Sequence, residues 1–433
     1  MLSVCVHLGL GALVQPPSLA PHASRSATYA RSAPFASAAD DVDRRGFVAQ
    51  STAAAVSTAA LAHASPARAD FFGGDEKPQW KQVDLPIATE SPILFDIEFD
   101  PQNPKNGWIV GNKGTFLQTT DGGATWVARS FSNLDPDEEI NYRFTKLSFL
   151  NGEGWIIGKP AILLHTTDSG GSWERVPLSP KLPGDPYGIV ALGRGKAELS
   201  TSAGAIYTTE NAGRNWKAEV RETIDATLNR VSSSGVQGAS YFSGSINSVR
   251  NSAQLGAILR NSAQFSLTPH ALHRQVERDS TGSYLAISSR GNFYLTFKPG
   301  DEFWVPHNRE TSRRITAMGF VKDKLTEGLW MSTAGGELSK AAGPLDTNLI
   351  NIAFNKQKIQ SGGYGILDVA YVGDGTRAWS VGGGGTIFGS NDGGNNWKRD
   401  KSADNLPTNL YKIKFFGEKG YILGSNGVLL TNA

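Results

Sequence analysis

Two repeated patterns predict an all-β fold, a seven-bladed β-propeller: a glycine-rich box ending in tryptophan that occurs four times, and an apolar hairpin that occurs seven times. Composition agrees with it. The 433-residue chain holds 49 Gly and 10 Trp but only 3 Met, with 19% charged residues, which suits short strands and tight turns better than long helices.

Taken in chain order, the first 69 residues stand apart: rich in Ala, Ser and Pro, free of Lys, with five Arg against three Asp. They read as targeting information. Arg44 and Arg45 precede an Ala-rich apolar run that ends in Ala67-Arg68-Ala69, a small-x-small site, so a twin-arginine export signal cleaved after Ala69 is expected. Residues 1–40, with Arg25 and Arg31 and almost no acid, look like a plastid transit peptide in front of it. Two stacked signals imply delivery to the thylakoid lumen of a plastid. The run 46–62 is too weakly apolar to hold well in a bilayer. Without this leader the chain keeps 37 basic residues (42 less 5) and 37 acidic ones (40 less 3), so nothing global favours nucleic acid or a membrane surface. The single Cys, Cys5, leaves with the leader, which excludes disulfide and thiol chemistry from residues 70–433.

The box has the form S/T-x-D/N-x-G-x-x-W: "TTDGGATW" (119–126), "TTDSGGSW" (166–173), "TENAGRNW" (209–216) and "SNDGGNNW" (390–397). Its tryptophans lie 47, 43 and 181 residues apart, a blade-sized spacing. The hairpins are "GWIVGNKGTFLQT" (from 107), "GWIIGKPAILLHT" (154), "AELSTSAGAIYTT" (197), "YLAISSRGNFYLT" (284), "GLWMSTAGGELSK" (328), "AWSVGGGGTIFGS" (378) and "GYILGSNGVLLTN" (420), each an apolar strand, a breaker and a second apolar strand. The last has no box or strand after it. "PQWKQVDLP", with Trp80 46 residues before Trp126, is therefore expected to supply the outer strand of the final blade and close the ring. Trp304 serves the fourth blade, where Trp216 to Trp304 runs 88 residues with no extra hairpin. That excess is expected to be an insertion at about 250–276, part of which carries "RNSAQ" twice, forming a mobile loop.

The box residues Asp121, Asp168, Asn211 and Asp392 are expected to tie turns, and Trp126, Trp173, Trp216 and Trp397 to pack between layers, because a turn recurs in every blade while a catalytic acid is needed once or twice. The alternative is an enzyme or lectin, since the same box occurs in sialidases and other glycosidases. Those need an arginine cluster, a Tyr activated by Glu and a further acid; the chain lacks the "R-I-P" motif that would anchor such a site. An Asp-box glycoside hydrolase or carbohydrate-binding propeller is thus the second reading. "GGGG" (382–385) has no Lys-Ser/Thr after it and reads as a hairpin tip, not a phosphate loop. Of His165, His270, His273 and His307, only "HALH" (270–273) makes a close pair, without further ligands in spacing, so no metal and no cofactor is expected. Arginine is the local anomaly. Residues 226–320 hold nine Arg and one Lys against five acids, and the planar fork of Arg suits carboxylates and interfaces.

Four blocks, "ATLNRVSSSGVQGASYFSG" (226–244), "GSYLAISSRGNFYLTFKPGDEFWVPHNRETSRRI" (282–315), "GYGILDVAY" (363–371) and "DKSADNLPTNLYKIKFF" (400–416), resemble the photosystem II stability/assembly factor family of chloroplasts and cyanobacteria. The similarity runs from about Trp80 to the end. The resemblance implies a lumenal seven-bladed propeller without catalytic activity or cofactor, an assembly chaperone that binds the newly made D-one reaction-centre subunit and its precursor during early assembly and repair, peripheral to the membrane through its protein partners. It also implies a partner-binding arginine patch, which maps onto Arg230, Arg290, Arg309, Arg313 and Arg314, with Arg278 a looser match. Arg250, Arg260 and Arg274 fall in or beside the insertion and are left out.

Overall fold

The computed structural model describes residues 79–432, apart from 132, 234–274, 347 and 350–351. The leader and all of the insertion up to 274, with His270 and His273, lie outside the described residues. Val276 belongs to the first strand of the fourth blade, so the insertion ends before it.

Seven four-stranded antiparallel sheets form the blades. β1 (Trp80–Val83) stands ahead of the first. Blade 1 is β2 (Leu94–Asp100), β3 (Asn103–Gly111), β4 (Phe116–Thr119) and β5 (Val127–Ala128). After a one-turn helix α1 (Pro136–Glu139), blade 2 is β6 (Arg143–Leu150), β7 (Glu153–Lys159), β8 (Ile162–Thr166) and β9 (Glu174–Arg175). Blade 3 is β10 (Pro186–Gly193), β11 (Lys196–Thr201), β12 (Ile206–Thr209) and β13 (Lys217–Ala218), followed by helix α2 (Ile224–Ser233), which the strand patterns did not foresee. Blade 4 is β14 (Val276–Arg278), β15 (Tyr284–Ile287), β16 (Phe293–Phe297) and β17 (Val305–Asn308). Blade 5 is β18 (Ile315–Phe320), β19 (Gly328–Thr333), β20 (Glu337–Ala342) and β21 (Asn355–Lys356). Blade 6 is β22 (Ile366–Val372), β23 (Arg377–Gly382), β24 (Ile387–Ser390) and β25 (Lys398–Asp400). Blade 7 is β26 (Leu410–Phe416), β27 (Lys419–Gly424) and β28 (Leu429–Asn432), completed by β1, whose Trp80 pairs with Asn432 and Val83 with Leu429. Every apolar hairpin of the sequence supplies the second and third strands of a blade, and the "GGGG" run turns between β23 and β24.

The first strands of neighbouring blades pack together, β2 on β6, β6 on β10, β22 on β26 and β26 back on β2, so they line the ring axis. Side chains on these strands, or just before them, staple one blade to the next. Asp96 Oδ2 accepts from the Leu147 amide at 3.3 Å, Ser148 Oγ from Ala191 at 3.0 Å, Gln275 Oε1 from Met318 at 2.8 Å and Asp368 Oδ2 from Ile413 at 3.0 Å. Lys414 Nζ closes the circuit from blade 7 to blade 1, donating to Ile97 O at 3.0 Å and pairing with Asp96 at 2.7 Å.

Each box carboxylate or amide ties its own turn. Asp121 Oδ1 accepts from Thr119 Oγ1 (2.7 Å) and the amides of Ala124 and Thr125 (both 2.9 Å), while Oδ2 takes Thr125 Oγ1 at 2.6 Å. Thr119 Oγ1 in turn accepts the Gly123 amide at 2.9 Å. Gly122 and Gly123 have φ of 76° and 84°, where only glycine sits without strain. Asp168, Asn211 and Asp392 repeat the pattern through Ser172, Asn215 and Asn396. The side chain and amide of Thr125 and the hydroxyl of Thr119 hold the Asp121 carboxyl far below its ordinary range. The Ser172 hydroxyl leads a similar set that holds Asp168 down to about 2. The tryptophans wedge between blades. Trp173 lies edge-on to Phe116 of blade 1 and to Phe131 in the crossing after it, both at 5.7 Å, Trp216 lies edge-on to Trp155 of blade 2 at 6.3 Å, and Trp126 is buried in one cluster with Tyr421 and Leu423 of blade 7. Trp397 donates Nε1–H to Gly394 O at 2.8 Å, and Trp304, without a box, donates to Gly204 O of blade 3 at 2.7 Å.

Candidate partner-binding site

Strand direction decides which loops share a face. In an antiparallel blade the turn after the second strand and the crossing to the next blade emerge at one end of the axial strands; the turn after the first strand emerges at the other. Arg290 lies in the turn between β15 and β16, and Arg309, Arg313 and Arg314 lie in the crossing from β17 to β18, so these four share what is here called the crossing face.

The two segments are bound to each other. The Ile315 amide donates to Gly291 O at 2.9 Å, and a Cβ at Gly291 (φ 64°) would collide with Ile315 O. Arg309 is the clamp. Its Nε donates to Thr311 O (2.6 Å), Nη1 to Gly291 O (3.0 Å) and Asn292 Oδ1 (2.9 Å), and Nη2 to Ser312 O (3.0 Å). With Nε and both Nη groups spent on these neighbours, Arg309 folds the crossing rather than reaching for a partner, and partial burial and the nearby Arg314 charge lower its pKa. Arg313 and Arg314 project from the loop that it folds. Arg313 Nη1 donates to Ala334 O at 3.1 Å, while its Nε is 3.8 Å from Glu337, a carboxylate shared with Lys356 at 3.2 Å. Arg314 is exposed, and its guanidinium has no hydrogen bond or ion pair among the described residues. Arg290 is exposed at the neighbouring tip.

Arg230 rides on α2, in the preceding crossing of the same kind. Its Nε donates to Glu222 at 2.9 Å and its guanidinium lies 4.2 Å over the Phe303 ring. The helix is pinned where buried Ile224 donates its amide to Ala203 O at 3.0 Å.

Arg278 does not join the patch. It ends β14 and precedes the turn after a first strand, so it lies at the opposite end of the ring from Arg309, Arg313 and Arg314. There its Nε pairs with Glu198 of blade 3 at 2.8 Å, and Tyr284 donates its hydroxyl to the same carboxylate. The pair lines a groove of about 640 Å³ between blades 3 and 4, where the glycosidase reading meets a Tyr beside a Glu. Burial and the Glu198 charge push the Tyr284 pKa well above its ordinary value, so the phenol gives up its proton less readily than in water. Arg278 is also the sole arginine of the groove among the described residues, where a carboxylate grip needs several.

The axis holds a second charge cluster that sequence reasoning missed. Lys414 contacts Glu98 at 3.0 Å as well as Asp96, Lys412 contacts Asp368 at 3.4 Å, and Lys146 contacts Glu277 at 3.7 Å. Burial would raise Glu277, but Lys146 and Lys412 hold its carboxyl down to about 2. These charges satisfy one another and hold blades together. No group of side chains able to hold a metal occurs among the described residues, and His165 is instead buried against Glu153 at 2.7 Å. No helix among them is long and apolar enough to cross a membrane.

Fold and site thus define a seven-bladed Asp-box propeller whose crossing face carries arginines at blades 4 and 5. Residues 74–433 match the family described as photosynthesis system II assembly factor YCF48. The photosystem II stability/assembly factor HCF136 of Guillardia theta is 56% identical over 354 residues, covering 81% of this chain and 82% of that protein. The solved YCF48 from Cyanidioschyzon merolae aligns with a TM-score of 0.69 at 45% identity, over 82% of this chain and 98% of that one. A structure of YCF48 bound to D1 peptide aligns with a TM-score of 0.63 at 34% identity, over 83% and 98%. The chain belongs to the YCF48 family of photosystem II assembly factors.

Proposed function

We propose that this protein is a non-enzymatic assembly factor for photosystem II that binds the D1 reaction-centre subunit and its precursor during early assembly and repair. Arg313 and Arg314, with Arg290 beside them and Arg230 in the neighbouring crossing, form the contact surface; Arg309 shapes it. The observation that carries the reading is Arg314, a guanidinium exposed on a loop where Arg309 is spent on fixing the loop and Arg313 already donates to Ala334 O. Such a group meets carboxylates through charge-assisted, bidentate hydrogen bonds. The relative bound to D1 peptide supports D1 as the source of those carboxylates. Delivery to the thylakoid lumen, with cleavage after Ala69, rests on Arg44, Arg45 and the small-x-small site, and is checked by sequencing the N-terminus of the protein from thylakoids.

Overlapping peptides from the lumenal segments of D1, titrated against the purified protein, test the function. The double variant Arg313→Ala, Arg314→Ala is expected to weaken the best peptide by tenfold or more, on the order of a binding hot spot, and to reduce the salt dependence of binding. Unchanged affinity would sink the reading. Hydrolysis of sialosides or β-glucans by the pure protein would favour the glycosidase instead.

A further inference from the structure

Immediately beyond Arg313 on the crossing face lies an aromatic side chain that no charge argument explains. Arg313 Nη1 donates to Ala334 O at 3.1 Å, and a Cβ on Gly335 would collide with that same nitrogen. Gly336 packs against Ser361, and Ser361 O accepts the Tyr364 amide at 3.2 Å. The turn 334–336 and the Ser361 turn that packs on it link the arginine to Tyr364, which is 55% exposed, one of few large hydrophobic side chains so open among the described residues.

The ring is exposed yet held in place. A Cβ on Gly384 would come within 3.0 Å of Tyr364 Cε1, and one on Gly362 within 3.7 Å of Cδ2, so bare glycine backbone cradles the ring on two sides. Gly384 (φ 61°) and Gly362 (φ 64°) both occupy the left-handed region, and the Gly384 amide is tied to Asn409 Oδ1 at 3.0 Å. The "GGGG" hairpin tip and the "GYG" segment thus meet around one aromatic face. A rigid, amphipathic aromatic costs little conformational entropy when a partner covers it, which is why such residues dominate binding energy.

We infer that Tyr364 is the apolar anchor subsite of the D1-binding face, taking a hydrophobic side chain of the peptide whose carboxylate meets Arg313 and Arg314. This rests on the functional reading above. An extended chain advances about 3.3–3.6 Å per residue, so the carboxylate and the apolar side chain would lie a few residues apart on the peptide. Charge at one end and an aromatic at the other also fix the direction in which the peptide lies.

The same overlapping D1 peptides test it. With the best binder, Tyr364→Ala is expected to lower affinity about tenfold while leaving the salt dependence at the wild-type slope, and Tyr364→Phe to bind as the wild type does. Arg314→Ala is expected to change the slope. Replacing the peptide's apolar residue with Ala should cost the wild type about what Tyr364→Ala costs, and should cost the Tyr364→Ala variant nothing more. Wild-type affinity in Tyr364→Ala, alongside a weakened Arg314→Ala, would overturn this inference and leave the arginine reading intact. Absence of any peptide binding by the wild type would overturn both. A thermal melt of each variant, with Tyr364→Gln as a second truncation, separates loss of contact from loss of fold.

Discussion

Blades 1 and 4 have the same four strands and opposite turn chemistry. In blade 1 the connection from β4 to β5 is a complete box, in which Asp121 takes up the turn's own amides and hydroxyls. In blade 4 the corresponding turn keeps only Asp301, which accepts the Lys298 amide at 2.9 Å, and the blade's capping chemistry has moved to the crossing face, where Arg309 ties two loops together. Blade 4 differs at the axis too: six inner strands carry a register shift near their start, and β14 does not. The contrast teaches that polar groups of the box are consumed by their own turn, whereas the arginine-built crossing leaves charge over for a partner.

If that division is right, stability and binding separate by region. The largest effect is expected from Trp173→Ala, which empties the wedge between blades 1 and 2 and should cost about 3–5 kcal/mol in denaturant unfolding, with D1-peptide affinity unchanged in the protein that remains folded. Arg278→Ala strips a half-buried carboxylate of its partner and should cost about 3 kcal/mol, again without weakening the peptide; a loss of affinity would put Arg278 back among the contact residues. Arg314→Ala should do the reverse, weakening the peptide about fivefold or more while moving stability by no more than about 0.5 kcal/mol. Asp168→Ala should lower the melting temperature less than Trp173→Ala does and leave binding alone.

The smallest effect is a pH profile. Hydrogen bonds led by the Ser172 hydroxyl hold Asp168 at about 2, below its ordinary 3.8. Burial works against Asp392, yet the Asn396 amide and side chain hold it at about 2 as well. Because both are depressed in the folded state, the stability they contribute is fully present above about pH 4 and is lost as pH falls through 2. Melting temperatures of wild type and Asp168→Ala should therefore differ at pH 6 and converge toward pH 2. A difference that persists unchanged at pH 2 would mean that the box does not stabilise through its ionised carboxylate.

Much of this was legible in the chain. The tryptophan spacing and the seven hairpins specify the blades because a repeated unit must bury the same face each time, and Trp80 announces the closing strand because the last hairpin would otherwise leave an edge. The site was legible only in outline. Arg313 and Arg314 stand out by composition, but nothing local separates them from Arg309, which carbonyls two to eighteen residues away consume. Arg278 looks like part of the same cluster in sequence, yet a turn and a reversal of chain direction put it at the other end of the ring. Tyr364 gave no charge or repeat signal, because the cradle that holds its ring joins Gly362 of its own loop to Gly384 of a different hairpin.

By itself, then, the sequence determined what is local and repeated: strand, turn, box and blade number, since each follows from side chains within one unit. Tertiary structure alone decided what depends on closing the ring. Lys414 meets Asp96 across 318 positions, Arg278 meets Glu198 across 80, and Arg309, Arg313 and Tyr364 come onto one face because consecutive crossings emerge at the same end of the axial strands. Charge far apart in the chain becomes a neighbour only when a circle of blades brings its ends together.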